Sequence, residues 1–429
     1  EGGATVIGET PTRDAIALPV DLPSRVTGID IDDQMTVSAL EANGCQVDVQ
    51  GDNLSVTPPT WRPDLVDPYD VVEEVLRVVG YDQVPSILPV APAGTGLTRD
   101  QALRRRVSRA LAGNGLIEVK TFPFAGPSDW DRLGFAADDP RRNQVLLENP
   151  LSAEEPGLTT TLLAGLLKTL ALNVGRGHSD IAIYETGRVF LPKAGRLEAP
   201  ILGVDRRPTA DEQAALDAAL PAQPRRIALA IDGNRHLRGW WGAGRPVEWA
   251  DAVAAVREVA RILDVEIGVE AAEFAPWHPG RCAAFTVAGD VIGHAGELHP
   301  RVAKAYGLPG RTAIAEVDLD ALVAAAPAVV DAPVFSTFPV AKEDIAVVVD
   351  ESVPAAAVGA ALKGASDLIE SVRLFDTYQG DQIPEGKKSL AFAIRMRAAD
   401  RTLADAEIKG VRDAALAAAA EATGATLRT

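Results

Sequence analysis

The stretch KKSLAFAIRMRA, residues 387–398, decides how the last quarter of this chain folds. Phe392, Ile394 and Met396 recur at every second position, a period that an extended strand places on one face. Arg395 and Arg397 then share the other face. The surrounding residues supply the rest of a domain. KEDIAVVVD (342–350) reads as a strand, VPAAAVGAALKGAS (353–366) as a helix and SVRLFDTYQG (371–380) as a strand. LADAEIKGVRDAALAAAAEATG (403–424) reads as a long helix, and ATLRT closes the chain. The order β-α-β-β-α-β is that of a ferredoxin-like split βαβ domain over 334–429.

Upstream the grammar changes twice. Residues 88–97 carry Pro89, Pro92, Gly94 and Gly96 and read as a linker. Before it, 1–87 forms a small α/β domain with short strand-like runs (TVSALEANGCQVDVQGDNLSVTPP) and one good helix. The next domain, 88–328, takes in that linker and continues with a helix that has a capping box, Thr98 and Gln101. Leu103, Val107 and Leu111 line that helix, and Arg104, Arg105 and Arg106 face solvent. Strand-like runs and helices then alternate: IAIYETGRVFLP, RRIALAIDG, AAFTVAGDVIGHAGEL, TAIAEVDL. Residues 192–224 read as an insertion. The fold class is α+β, in about three domains for 429 residues.

Composition bounds the function. The 47% hydrophobic and 24% charged content is that of a soluble globular protein, and no window approaches eighteen consecutive apolar residues. Two cysteines, Cys45 and Cys282, make no disulfide framework, so a reducing, cytoplasmic compartment is expected. With 42 Lys and Arg against 60 Asp and Glu, the net charge is −18, which argues against a chain coated in nucleic acid. It leaves room for a local basic groove. The C-terminal domain itself carries 11 basic against 14 acidic residues. RNA binding there has to come from one face, for which Arg395 and Arg397 are candidates, with Lys387 and Lys388 nearby. Solvated strand residues would give the same pattern.

WRPDLVDPYDVVEE, residues 61–74, packs five carboxylates into fourteen positions. Asp67-Pro68 is a helix start, a carboxylate N-cap with Pro at the first helical position. Val72, Val75, Leu76 and Val79 form the apolar face, with Asp70, Glu73, Glu74 and Arg77 opposite. Asp64 lies just before the cap. Oxygen-only ligands of this kind suit Mg²⁺. Acids near a helix N-terminus also favour the macrodipole without any metal. His278, Cys282, His294 and His299 fall within twenty-two residues, but the order H-x3-C-x11-H-x4-H is no familiar zinc spacing. A turn-and-strand role is expected for them. GAGRP (242–246) and GLPGR (307–311) are glycine turns, not phosphate loops. Trp240 and Trp241 in RGWWG read as core or interface. No motif here is a self-sufficient active site.

Taken together, these stretches resemble the beta subunit of bacterial phenylalanine–tRNA ligase over roughly 10–190 and 235–429. TPPTWRPDLVDPYDVVEEVLRVVGYDQVP looks like the small domain before that subunit's core. LLENPLSAEEPGLTTTLLAGLL, IAIYETGRVFLP, WHPGRCAAF and IGHAGELHP look like the core. FPVAKEDIAVVVD and LFDTYQGDQIPEGKKSLAFAIRMRAADRTL look like its ferredoxin-fold anticodon-binding domain. Thr159 departs from a commonly Arg position, and Lys342-Glu343 from a commonly basic pair.

The resemblance implies a small winged-helix-like N-terminal domain and a class II synthetase-like antiparallel core without catalytic motifs. Glu185 is present, but the strand has no Arg two residues before it, and GELHPRVAKAYG stands where a glycine-rich arginine motif would be expected. ATP and phenylalanine would be bound by an alpha subunit, in an assembly of two alpha and two beta chains that charges tRNA(Phe). This chain would scaffold that subunit, bind tRNA and be inactive alone. Asp64, Asp70, Glu73 and Glu74 match the family's acidic residues for a magnesium site shared with the alpha subunit. EGGA, at the start, resembles the end of an editing region. The competing expectation is a stand-alone nucleic-acid-binding or scaffold protein on a recycled synthetase fold.

Overall fold

The computed structural model describes residues 13–90, 93–193, 199–332 and 335–428, with Gly3, Thr5, Ile7 and Gly8 before them. Most of 1–4, part of the linker at 88–97, and 194–198 of the expected insertion lie outside the described residues. The chain divides into two compact units, 1–98 and 99–429.

In the first unit, β1 (Ile16–Pro19), α1 (Leu22–Thr27), α2 (Asp33–Ala42), β2 (Gln46–Gln50), β3 (Asn53–Thr57) and α3 (Pro68–Val79) follow in order. The strands form an antiparallel sheet, β1-β3-β2. Gly51 takes φ +64° in the two-residue turn between β2 and β3, a conformation that favours glycine. Leu18, Leu40, Leu54, Val56, Val71 and Val75 fill the core. One detail departs from the sequence reading: α3 buries Val71, Val72, Glu74 and Val75, so Glu74 lies on the core side.

The second unit begins with α4 (Arg99–Gly113), β4 (Ile117–Glu118), β5 (Phe124–Ala125), α5 (Pro127–Arg132), β6 (Gly157–Leu158) and α6 (Leu163–Gly175). Next come β7 (Ile181–Arg188), α7 (Ala210–Ala219), β8 (Arg225–Asp232), β9 (Asn234–His236), β10 (Arg245–Pro246) and α8 (Trp249–Ile262). Then follow β11 (Gly268–Ala271), β12 (Trp277–Val287), β13 (Asp290–Leu298), α9 (Pro300–Ala305), β14 (Thr312–Asp318) and α10 (Leu319–Ala325). A seven-stranded sheet runs β11-β12-β13-β14-β8-β7-β4, antiparallel except for the β4–β7 pair. Helices cover both faces, so the strands read as apolar runs rather than as alternation. Ile227, Leu229 and Ile231 of β8 meet α4, α8 and α10 on one side. Ala228 and Ala230 meet α6 and α9 on the other. The expected excursion at 192–224 contains α7, capped by Thr209 and Glu212.

The chain ends with β15 (Ala341–Asp350), α11 (Ala355–Gly364), β16 (Ile369–Tyr378), β17 (Lys387–Met396), α12 (Asp405–Thr423) and β18 (Thr426–Leu427). The sheet order β16-β17-β15-β18 carries the β-α-β-β-α-β sequence expected for 334–429. Ile345, Val347, Val349, Leu390, Phe392, Ile394 and Met396 pack under α11 and α12. Among the described residues of this domain, both helices lie on that one face.

Candidate functional site

The acidic helix start is built by capping. Asp67 accepts from the Tyr69 N–H at 2.8 Å, and Asp70 Oδ2 accepts from the N–H groups of Val66 and Asp67 at 3.0 and 2.9 Å. Asp70 is thereby committed to the helix terminus. Glu74 is 5% exposed. Its Oε1 accepts from Arg62 Nη2 at 2.7 Å and its Oε2 from Arg77 Nη2 at 2.8 Å. Arg62 also forks onto Asp64, at 3.0 Å from Nε and 2.6 Å from Nη2. The Arg62 hydrogen bonds hold both carboxyls below the ordinary carboxylate range. Glu73 faces solvent and accepts from the Tyr81 hydroxyl at 3.2 Å.

The structure therefore brings Asp64 and Glu74 together through one guanidinium, while Asp70 and Glu73 serve other partners. Among the described residues, no three His, Cys, Asp or Glu side chains are grouped to hold a metal. The donor chemistry of the four carboxylates fits a hard divalent cation. In this arrangement the Arg62 guanidinium bridges Asp64 and Glu74.

The second candidate quartet behaves as turn and strand residues. His278 Nδ1 accepts from the Gly280 N–H, and His299 Nδ1 accepts from the Arg301 N–H at the start of α9, each at 3.1 Å. Cys282 is buried, and burial pushes its thiol up to about 11. His294 stacks on Phe274 with centroids 4.1 Å apart. Burial, reinforced by Arg141, drives its imidazole down to about 4.

His294 lines a cleft of about 260 Å³ with Arg141, Arg226, Trp277 and Glu316. Each charge there is already spent. Glu316 accepts from Thr161 Oγ1 at 2.9 Å, the Leu162 N–H at 2.7 Å and Arg226 at 3.1 Å. Arg141 lies between the Phe135 and Phe274 rings, 3.7 and 4.1 Å from their centroids, and forks onto Asp139. Glu185 accepts from the Thr121 N–H and hydroxyl at 3.0 and 2.8 Å, so it pins a loop. Sequence reasoning missed Glu316, whose partners lie far along the chain, and Arg141, which joins the nearby Asp139 and Phe135 to the distant Phe274. Trp240 and Trp241 depart from the core alternative of the sequence reading: they are 94% and 65% exposed, in a T-shaped pair.

The open face of the C-terminal sheet is set by register. Lys342, Arg395 and Ser371 form one row, Asp344, Ala393 and Arg373 the next, and Asp350 pairs with Lys387 at the far end. Arg428, just after β18, lies 5.2 Å from the Tyr378 ring centroid and donates to Gln382 at 3.0 Å. Arg395 is half exposed and 3.3 Å from Glu370. Arg397 is more enclosed, donating to the Ser336 carbonyl at 2.9 Å and lying 3.6 Å from Glu370. Lys387 pairs with Asp350 at 3.1 Å. Lys388 falls on the other side by alternation and donates to the Glu351 carbonyl at 2.7 Å. Six cations, Lys342, Arg373, Lys387, Arg395, Arg397 and Arg428, thus share one face of a domain whose net charge is −3. Lys342, Arg373 and Arg428 were not candidates from sequence. Period-two counting along β15 and β16 was the signal available for the first two.

Comparison with known proteins accounts for nearly the whole chain. The family described as "tRNA synthetase B5 domain" matches residues 16–81. "Phenylalanyl tRNA synthetase beta chain CLM domain" matches 84–319, and "Ferredoxin-fold anticodon binding domain" matches 336–428. A phenylalanine–tRNA ligase beta subunit from Thermobifida fusca is 55% identical over 434 residues, covering 100% of this chain and 52% of the relative. One from Streptomyces avermitilis is 53% identical, with 100% and 52% coverage. One from Nocardia farcinica is 47% identical, with 98% and 51% coverage. The chain thus spans about half the length of the curated relatives it matches.

Proposed function

Because this chain belongs to the phenylalanyl-tRNA synthetase beta-chain family, we propose that it forms the non-catalytic half-site of a tRNA-charging assembly. It scaffolds an alpha subunit that binds ATP and phenylalanine, in a complex of two alpha and two beta chains, and it grips tRNA(Phe) in the cytoplasm. The domains are 1–87, winged-helix-like; 88–328, a class II synthetase-like core; and 334–429, the anticodon-binding domain. The antiparallel seven-stranded sheet supports the class II reading of the core. The exposed Trp240 and Trp241 supply aromatic surface of the kind protein partners bury.

The observation that carries the proposal is the cationic open face of the C-terminal sheet. Arginine forks bind phosphate oxygens in two-pronged fashion, and an open sheet lets unpaired bases lie on exposed side chains. Arg395, Arg397 and Lys387, joined by Lys342, Arg373 and Arg428, neutralise the backbone; Lys388, expected with them, lies on the other side of the strand. Tyr378 and the half-exposed Phe375 offer ring faces for stacking.

Amino-acid activation needs cationic groups and metal ions around the ATP phosphates. In the core cleft Arg141 and Arg226 are tied to Asp139 and Glu316, and both Glu316 oxygens already accept hydrogen bonds. That supports a core that does no chemistry itself. Asp64, Asp70, Glu73 and Glu74 would hold Mg²⁺ once the alpha subunit contributes its share; the bound ion would supply fixed positive charge at that junction. Their oxygen-only donor set supports this. Asp64 and Glu74 have to trade Arg62 for the ion, so the isolated chain should bind Mg²⁺ weakly.

The test is reconstitution. The chain alone should show no phenylalanine-dependent ATP–pyrophosphate exchange, and co-expression with an alpha subunit should give a stable complex that exchanges. Exchange by the chain alone would overturn the scaffold reading. A soluble monomer that ignores the alpha subunit would favour a stand-alone nucleic-acid-binding protein instead.

A further inference from the structure

We propose that the cleft between β7, β8 and α4 is a phosphate-binding site, built from Arg104, Arg188 and Arg225. The sheet register sets Arg188 directly opposite Arg225 across the β7–β8 ladder. Directly paired residues stand roughly 5 Å apart at Cβ, and like charges so placed destabilise the sheet. Arg104 of α4 lines the same cleft, a space of about 310 Å³ completed by Thr186, Gly187 and Leu319.

Among the described residues, none of the three guanidiniums forms an ion pair. Two arginines nearby are paired: Arg106 lies 3.9 Å from Asp264, and Arg226 lies 3.1 Å from Glu316. Arg188 donates to the Gln223 side-chain oxygen at 3.3 Å. Asp320, at the start of α10, is taken by the Arg225 backbone N–H at 2.8 Å. In a chain of net charge −18, a concave site of three unpaired arginines, two of them facing each other at a cost, calls for an anion. Guanidinium forks match tetrahedral phosphate oxygens, and their charge persists at every physiological pH. The cleft has room for more than one phosphate group. Free diphosphate and an RNA backbone share this chemistry, and the assignment stands independently of the tRNA reading above.

The experiment titrates pyrophosphate into the full chain, in phosphate-free buffer at low salt, by calorimetry and thermal unfolding. Arg188→Gln, Arg225→Gln, the double variant and Arg225→Lys serve as comparisons. One saturable site is expected on the parent chain, with affinity lost at least tenfold in each Gln variant. Arg225→Lys keeps the charge and loses the fork, so it should fall between. Without ligand, Arg225→Gln should unfold at the same temperature as the parent or higher, because the like-charge pair is gone; that separates a lost site from a lost fold. No saturation below about 10 mM, or equal binding by parent and double variant, overturns the proposal. If tRNA displaces pyrophosphate and Arg225→Gln flattens the salt dependence of tRNA binding, the phosphate is RNA backbone. If tRNA and pyrophosphate bind side by side, it is a free phosphate compound.

Discussion

Replacing Arg62 by Gln should loosen the first unit by an amount that follows from its two carboxylate partners. Glu74 sits among Val71, Val72 and Val75 on the buried side of α3 and accepts from both Arg62 and Arg77. Leaving a buried carboxylate without any partner costs about 3–5 kcal/mol. Arg77 stays, so the cost at Glu74 is roughly half of that. The bond to Asp64, which is largely exposed, adds little. The expected loss at pH 7 is therefore about 2 kcal/mol. Its pH dependence has a definite sign. Arg62, then Arg77, hold the Glu74 carboxyl below its ordinary value. The stability this provides is full above the unfolded value of about 4.3 and drains away as pH falls through the folded one. Parent and variant should differ most near neutrality and converge in acid. Hydrogen exchange at the Val72 and Val75 amides reads the unit directly. Freed of Arg62, Asp64 and Glu74 should accept Mg²⁺ more readily. A dissociation constant on the order of 1 mM would return about 1.4 kcal/mol at ten times that concentration. Equal protection of parent and variant at pH 7, or a gap that persists unchanged at pH 3, refutes the electrostatic argument. Failure of Mg²⁺ to protect the variant more than the parent refutes the ion's place there.

Other tests touch the second unit. His294 has its imidazole held near 4 by burial and Arg141; a depressed base favours folding above its unfolded value of about 6.5 and loses that as pH drops. His294→Phe should spare the chain about 2 kcal/mol of the destabilisation seen between pH 7 and pH 5, measured by urea unfolding. Lys168 neutralises the buried Asp129 at 2.8 Å and also meets Glu155 at 2.6 Å. Lys168→Met should cost on the order of 3 kcal/mol in the same assay, and a neutral result would refute the Lys168–Asp129 pair as a source of stability. Arg395→Ala should weaken tRNA binding and lower the slope of log affinity against log salt by about 1 while leaving stability alone. Arg397→Ala should also lower the unfolding temperature, because Arg397 ties β17 to Ser336.

How far the sequence carried depends on the range of the interaction. Phe392, Ile394 and Met396 announced both the strand and its buried side, since alternation is local. Asp67 and Pro68 announced the start of α3 for the same reason. Glu74 was misplaced on the wet face, because what makes it buriable is Arg62, twelve residues away beyond the helix start. Glu316 was invisible, its three donors lying about 90 to 155 residues distant. The facing of Arg188 and Arg225 requires knowing that β7 and β8 pair across the intervening excursion. For Trp240 and Trp241 residue type left core and interface open, and a short hairpin tip, bridged at Gly239 and Gly242, holds them out of the core.

The two-sided burial of β8 has a consequence for how the central sheet keeps its alignment. Where one face of a strand is wet, polarity forbids sliding by one position, since apolar groups would be thrown into water. The middle of β8, Ile227 to Ile231, has no such safeguard: both faces are apolar there. Its discriminator is bulk, with Ile227, Leu229 and Ile231 directed one way and the slender Ala228 and Ala230 the other. A slip would press branched chains into the narrow gap above α6 and leave hollows beneath α8. The alignment of this sheet is thus stored as a pattern of volumes, and enlarging Ala228 or Ala230 would blur that pattern without altering a single charge or hydrogen bond.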